Sequence, residues 1–188
     1  MDNADNNHSR IIGNLQTTAS GLAGNVAAVA VTSAAGIQMG SASVPSSNLT
    51  VLGTGAIHLN AASDINLKVN DGGNSSAATS ITAAGDLQFS AGGSIAKTDA
   101  NALALVTGSG QASMSAAGNI DAGNSITATN NLSVSFSTTG VSTVGSATAT
   151  AGNLSLTATT GSLVATGTLT AGQGIALSAV TGISTKAM

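Results

Sequence analysis

GNIDAGNSITATNNLSVSFST (residues 118–138), TGVSTVGSATATAGNLSLTAT (139–159) and TGSLVATGTLTAGQGIALSAV (160–180) are consecutive stretches of equal length with one underlying pattern. Apolar-polar-apolar runs recur every six to nine residues, each entered through Gly, Asn or Ser. Alternation with period two over four or five residues marks a strand with one buried face. The runs open at Ile120, Ile126, Leu132, Val141, Ala147, Leu154, Leu163, Leu169, Ile175 and Ile183. Taken in threes they fall into series. Ile120, Val141, Leu163 and Ile183 are spaced by 21, 22 and 20 residues, Ile126, Ala147 and Leu169 by 21 and 22, and Leu132, Leu154 and Ile175 by 22 and 21.

This spacing predicts an all-β chain, a right-handed parallel β-helix (β-solenoid) with three short strands per coil of about 21 residues. The third strand of each coil is the longest. Leu132-Val134-Phe136, Leu154-Leu156-Ala158 and Ile175-Leu177-Ala179 point inward along it, and Ala112-Met114-Ala116 is expected in the same place one coil earlier. Composition agrees: the chain is 42% hydrophobic but only 1% aromatic, so its apolar residues suit a thin core repeated many times. Gly118-Asn119, Gly123-Asn124, Asn130-Asn131, Gly152-Asn153, Gly161-Ser162 and Gly172-Gln173-Gly174 stand at the corners, where positive φ is often needed and Asn side chains can bond along the axis.

Upstream the pattern continues in Ile57-Leu59, Ile65-Leu67-Val69, Ile81-Ala83, Leu87-Phe89, Ile95 and Leu103-Leu105, with no coil register assigned to residues 15–52. The expected organisation is a polar N-terminal arm or cap over residues 1–14 and a parallel β-helix over 15–188. A loop inserted at a corner at about 70–80 carries Asp71-Gly72-Gly73-Asn74-Ser75-Ser76.

Phrases such as Ala117-Gly118-Asn119-Ile120, the run from Ala151 to Ala158, and Thr168-Leu169-Thr170-Ala171-Gly172 give the stretch from Gly85 to Lys186 a family likeness. It resembles the repeats of filamentous-haemagglutinin-like exoproteins, large bacterial adhesins exported by two-partner secretion on right-handed β-helical stalks. The likeness implies a secreted or cell-surface bacterial location, and since the Asn-Pro-Asn motif of that family's secretion domain is absent, a stalk segment or a relative with a different export route. The polar start, Met1 to Arg10, lacks the apolar stretch of a signal peptide, so no export signal is expected in this chain.

The remaining composition narrows the function classes. Arg10, Lys68, Lys97 and Lys186 are the only basic residues and the net charge is -3, which argues against a nucleic-acid partner. No apolar run has the length of a membrane span, so no membrane insertion is expected. The chain has no Cys, hence no disulfide framework. Acid-base catalysis on polysaccharides needs clustered carboxylates. Asp2, Asp5, Asp64, Asp71, Asp86, Asp99 and Asp121 are the only acids, and no two stack on successive well-registered coils. No enzyme activity, catalytic residue or cofactor is therefore expected. His8 and His58 lack a second ligand at a recognised spacing, so no metal site is expected, and His58 reads as an outward strand residue.

One surface feature qualifies as a candidate site. Thr127 and Thr129 are expected to stack on Thr148 and Thr150 in the next coil and then on Thr170, an outward column of the kind ice-binding solenoids use. Exposed strands rich in β-branched polar residues also look like this. The expected function is a non-enzymatic structural or adhesive module, a segment of the shaft of a secreted bacterial surface adhesin with a host-cell or surface receptor as partner. The alternatives are a subunit of a head-to-tail extracellular filament, pairing with itself end to end, and, more distantly, an ice-binding solenoid. End-to-end pairing rests on the last coil, where Ile183 and the rung beneath it, Leu163, are expected to be partly wetted.

Overall fold

The computed structural model describes residues 8–11, 13–39, 48–67, 79–96 and 103–186. Strands follow one another through short corners. The first coil holds β1 (His8–Ile11), β2 (Asn14–Ala19) and β3 (Ala27–Ser33). The second holds β4 (Gly36–Met39), β5 (Asn48–Gly53) and β6 (Ala56–Ala61). The third is β7 (Ile65–Asn66), β8 (Thr79–Ala83) and β9 (Leu87–Ala91), and the fourth β10 (Ile95–Ala96), β11 (Leu103–Thr107) and β12 (Gln111–Ala116). Next come β13 (Ile120–Asp121), β14 (Ser125–Ala128) and β15 (Leu132–Ser137), then β16 (Val141–Val144), β17 (Ser146–Ala149) and β18 (Leu154–Ala158). The chain closes on β19 (Ser162–Ala165), β20 (Leu169–Ala171), β21 (Ile175–Ala179) and a further strand, β22 (Gly182–Thr185).

Every third strand pairs in parallel with its predecessor, giving a first sheet of eight strands (β1 to β22) and second and third sheets of seven each. This is a parallel β-helix with three strands per coil. Seven rungs at the usual strand spacing rise about 34 Å.

Inward residues stack in columns. One runs Ile37, Ile65, Ile95, Ile120 along the first sheet. In the third sheet Leu59, Phe89, Met114, Phe136 and Ala158 share a column, so Met114 lies between the two aromatic residues of the chain. The series Ile126, Ala147, Leu169 and Leu132, Leu154, Ile175 are paired as the spacing predicts.

Four expectations are corrected. In the first series the inward residue of β16 is Ser142, which pairs with Ile120 and Leu163, while Val141 points out at 40% exposure. Val141 and Val144 stand three apart and cannot share a face of a strand. Val144 wins the interior, below Ala165 in register, and carries Ser142 in with it. Second, Ala112 pairs with Val134 and Met114 with Phe136, two residues along from the expected match. Third, the period near 21 holds only for the later coils: Ile37 to Ile65 is 28 residues, Ile65 to Ile95 is 30 and Ile95 to Ile120 is 25. The longer coils carry the connections 40–47, 68–78 and 97–102, each joining the first sheet to the second. Fourth, His8–Ile11 is a strand paired with β4, so the helix already includes residues assigned to the arm. Residues 1–7, and the proposed loop as far as residue 78, lie outside the described residues.

The corner glycines serve two purposes, of which positive φ is one. Gly123 does adopt φ +83, but Gly161 does not have positive φ. A Cβ on Gly161 would instead collide with the Gly140 carbonyl of the preceding coil. Axial crowding, not chain reversal, demands glycine there.

Ser142 leaves its hydroxyl buried without a hydrogen-bond partner. An unmet buried donor costs about 1–3 kcal/mol. Ser142→Ala should therefore raise stability by about 1 kcal/mol in urea titration, and Val141→Ser should stay within about 0.5 kcal/mol, as outward positions do. The opposite ranking would return this strand to the alternative register.

Candidate functional site

The second sheet positions the threonines. Its strands alternate Ile126 and Ala128, Ala147 and Ala149, or Leu169 into the core, which sends the intervening residues outward. Thr127, Thr148 and Thr170 are consecutive partners in one outward column. Thr129 and Thr150 lie just past the ends of β14 and β17, exposed at the corner, and backbone bonds from Thr150 N to Ala128 O (3.0 Å) and Ala151 N to Thr129 O (3.0 Å) hold these coils in step. Gly172 follows at that corner position on the next coil, so the second column stops there.

The column is longer than the sequence suggested. Thr127 pairs with Val106, Val106 with Thr82, Thr82 with Thr50, and Thr50 with Gln16. Thr50 and Thr82 were missed, although Ser80-Ile81-Thr82-Ala83 repeats Ser125-Ile126-Thr127-Ala128 letter for letter. Beside it runs a column of Asn14, Asn48, Ser80, Ala104, Ser125 and Ser146. Its amides and hydroxyls bond along the axis: Asn48 Nδ2 donates to Asn14 Oδ1 (2.7 Å), Ser80 N to Asn48 Oδ1 (3.0 Å) and Thr168 N to Ser146 Oγ (3.1 Å). None of the seven strands of this sheet contains a charged residue. Hydroxyls thus repeat at about 4.8 Å along the axis and at about 6.7 Å along each strand, on a face whose backbone is already fully committed to the ladder.

The third sheet offers a second hydroxyl face. Gln88, Ser113, Ser135, Thr157 and Ser178 form one of its outward columns. His58 stands in the same column, between Ala30 and Gln88, outward as expected, with Nε2 buried and unpaired. A shallow recess of about 160 Å³ here is lined by Asp86, Gln88, Gln111 and Ser133 among others, and Asp86 accepts a bond from Ser109 Oγ. Another, of about 130 Å³, lies where the first sheet turns into the second, beside Asp121, Asn124, Thr143 and Thr166. Asp121 Oδ1 is bonded to Gly123 N at 2.9 Å, and Asn124 Oδ1 to Leu103 N at 3.2 Å, so both brace corners. Each recess has one carboxylate. Asp2, Asp5, Asp71 and Asp99 lie outside the described residues, as does the side chain of His8.

Corner asparagines bond along the axis. Asn131 Oδ1 accepts from Asn153 N (2.8 Å) and Asn153 Oδ1 from Gly174 N (3.0 Å), while Asn119 Oδ1 accepts from Val141 N (3.0 Å). No protein-family model matches the chain, and no curated protein or solved structure matches it either.

Proposed function

We propose that this chain is a non-enzymatic structural and adhesive module, a segment of the β-helical shaft of a secreted bacterial surface adhesin. The carrying observation is the run of three parallel sheets, which repeats a three-strand coil along the rod and turns columns of Thr, Ser, Asn and Gln outward. A rod of this kind serves as a spacer, and its hydroxyl and amide columns form flat, uncharged contact faces. Beads coated with the chain test this on host-cell surfaces. Retention above that of uncoated beads is expected, and it should be lost when Thr127→Lys, Thr148→Lys and Thr170→Lys are combined, with the circular dichroism spectrum unchanged. Retention no greater than that of uncoated beads would remove the adhesive role.

A second reading, the subunit of a head-to-tail filament, draws on where apolar surface is exposed. Leu15, Val26, Ile175, Val180 and Ile183, at 40–68% exposure, belong to the first or last coil, and among the described residues only Leu52 and Val141 of the large exposed apolar side chains lie between. Ile183 is wetted as expected, but Leu163 beneath it is fully buried, so the exposure is confined to the terminal rung. An ice-binding role has less support, because Val106 interrupts the threonine column.

A further inference from the structure

The two ends of the rod match each other column by column. At the far end Leu169, Leu177, Ala179 and Ile183 close four inward columns. At the near end the same columns open with Leu15, Val29, Val31 and, beneath β4, Ser9. All strands are parallel, so a second copy that continues the rod would set β2 on β20 and β3 on β21 with the pairing already used inside the molecule.

Strand number then creates a conflict. The first sheet has eight strands and the others seven, so a continuous three-strand period has one strand too many at each joint. With β2 seated on β20 and β3 on β21, the next place in the first sheet lies between β19 of one copy and β4 of the other. Both β22 of the first copy and β1 of the second claim it.

We infer that β22 of one copy takes the place of β1 in the next, pairing with β4 in a head-to-tail strand exchange between copies of this chain. This inference rests on the filament reading. The inward residues decide between the claimants. At this place β1 offers Ser9, whose hydroxyl is satisfied by Ser33 Oγ at 3.0 Å, where the flanking inward residues would be Leu163 and Ile37. β22 offers Ile183, 46% exposed at the open end, which would lie between Leu163 and Ile37, both fully buried. Exchange covers the isoleucine and sets Leu163, Ile183 and Ile37 in succession, at the cost of the Ser9–Ser33 hydroxyl bond and the pairing of Ile11 with Met39. β1 can leave without unpicking any other strand, since β4 is its sole partner in the sheet.

Cysteine pairs read the joint directly, because the chain has no Cys of its own. In the exchanged joint Ser184 of one copy stands opposite Gln38 of the next, whereas Arg10 holds the position opposite Gln38 in the isolated rod. Neighbouring strands place Cα atoms within the range a disulfide spans. The doubly substituted full chain, Gln38→Cys with Ser184→Cys, should give a ladder of covalent oligomers on mild oxidation. Adding Ile183→Asp should abolish the ladder and leave the circular dichroism spectrum as it was. A ladder from Arg10→Cys with Ser184→Cys in place of that pair would mean that β1 stays and stacks on β22, overturning the exchange. A monomer at all concentrations with neither pair cross-linking would overturn end-to-end joining itself. The shaft reading stands or falls separately, on bead retention.

Discussion

Leu154→Asp should unfold or loosen several coils, lowering stability by more than about 4 kcal/mol, while Ser155→Asp on the same strand should cost less than about 0.5 kcal/mol. Leu154 is fully buried, with Leu132 below it and Ile175 above. A carboxylate there has no partner and no water, because the interior is only as wide as three facing rows of side chains. Neighbouring coils also depend on one another, since each is stabilised through its contacts with the next. The damage therefore spreads along the axis, and the melt should broaden or split. Ser155 pairs outward with Ser133 and Ala176, where an added charge meets solvent. Thermal melts followed by far-ultraviolet circular dichroism compare the two directly. Equal losses would mean that inward and outward residues of β18 are wrongly assigned.

Phe136→Ala carries the second large effect, an expected loss of about 3–5 kcal/mol. Phe136 is fully buried, the largest such side chain described, and it stands between Met114 and Ala158 in its column, with Phe89 one rung beyond Met114. Its own coil otherwise buries small residues, Ala122 just past β13 and Ala128 at the end of β14. Truncation would open a cavity that these small neighbours cannot fill, and it would strip the methionine of one ring. Phe136→Leu should recover more than half of the loss, because most of the cost is volume. A loss from Phe136→Ala below about 1 kcal/mol would show that the coils relax into the void and that the column adds little.

Much of the fold was legible because a strand's period of two and a repeated coil length leave marks that survive in a single sequence. From Ile120 onward both marks are present, and the second and third series are found paired as their spacing implied. The threonines at 127, 148 and 170 were legible for the same reason. Upstream the coil length rises to 28 and 30 residues, so the interval between stacked residues no longer repeats. The alternation in Ile81-Ala83 or Leu49-Val51 still marks a strand, yet nothing in it says which strand lies beside it. Thr50 and Thr82 could join the outward column only once the pairing was known.

Residue order alone thus determined the strand content, the three-sided coil and the identity of most inward residues, because alternation is a local property of the chain. Only the tertiary structure decided the face that β16 buries, since Val141 and Val144 make rival local claims and the neighbouring rungs settle them. It also decided which wetted side chains share an end of the rod. Leu15 and Val26 fall in the first coil and Ile175 and Ile183 in the last, where they are 40–46% exposed because no described rung stacks on their outer side.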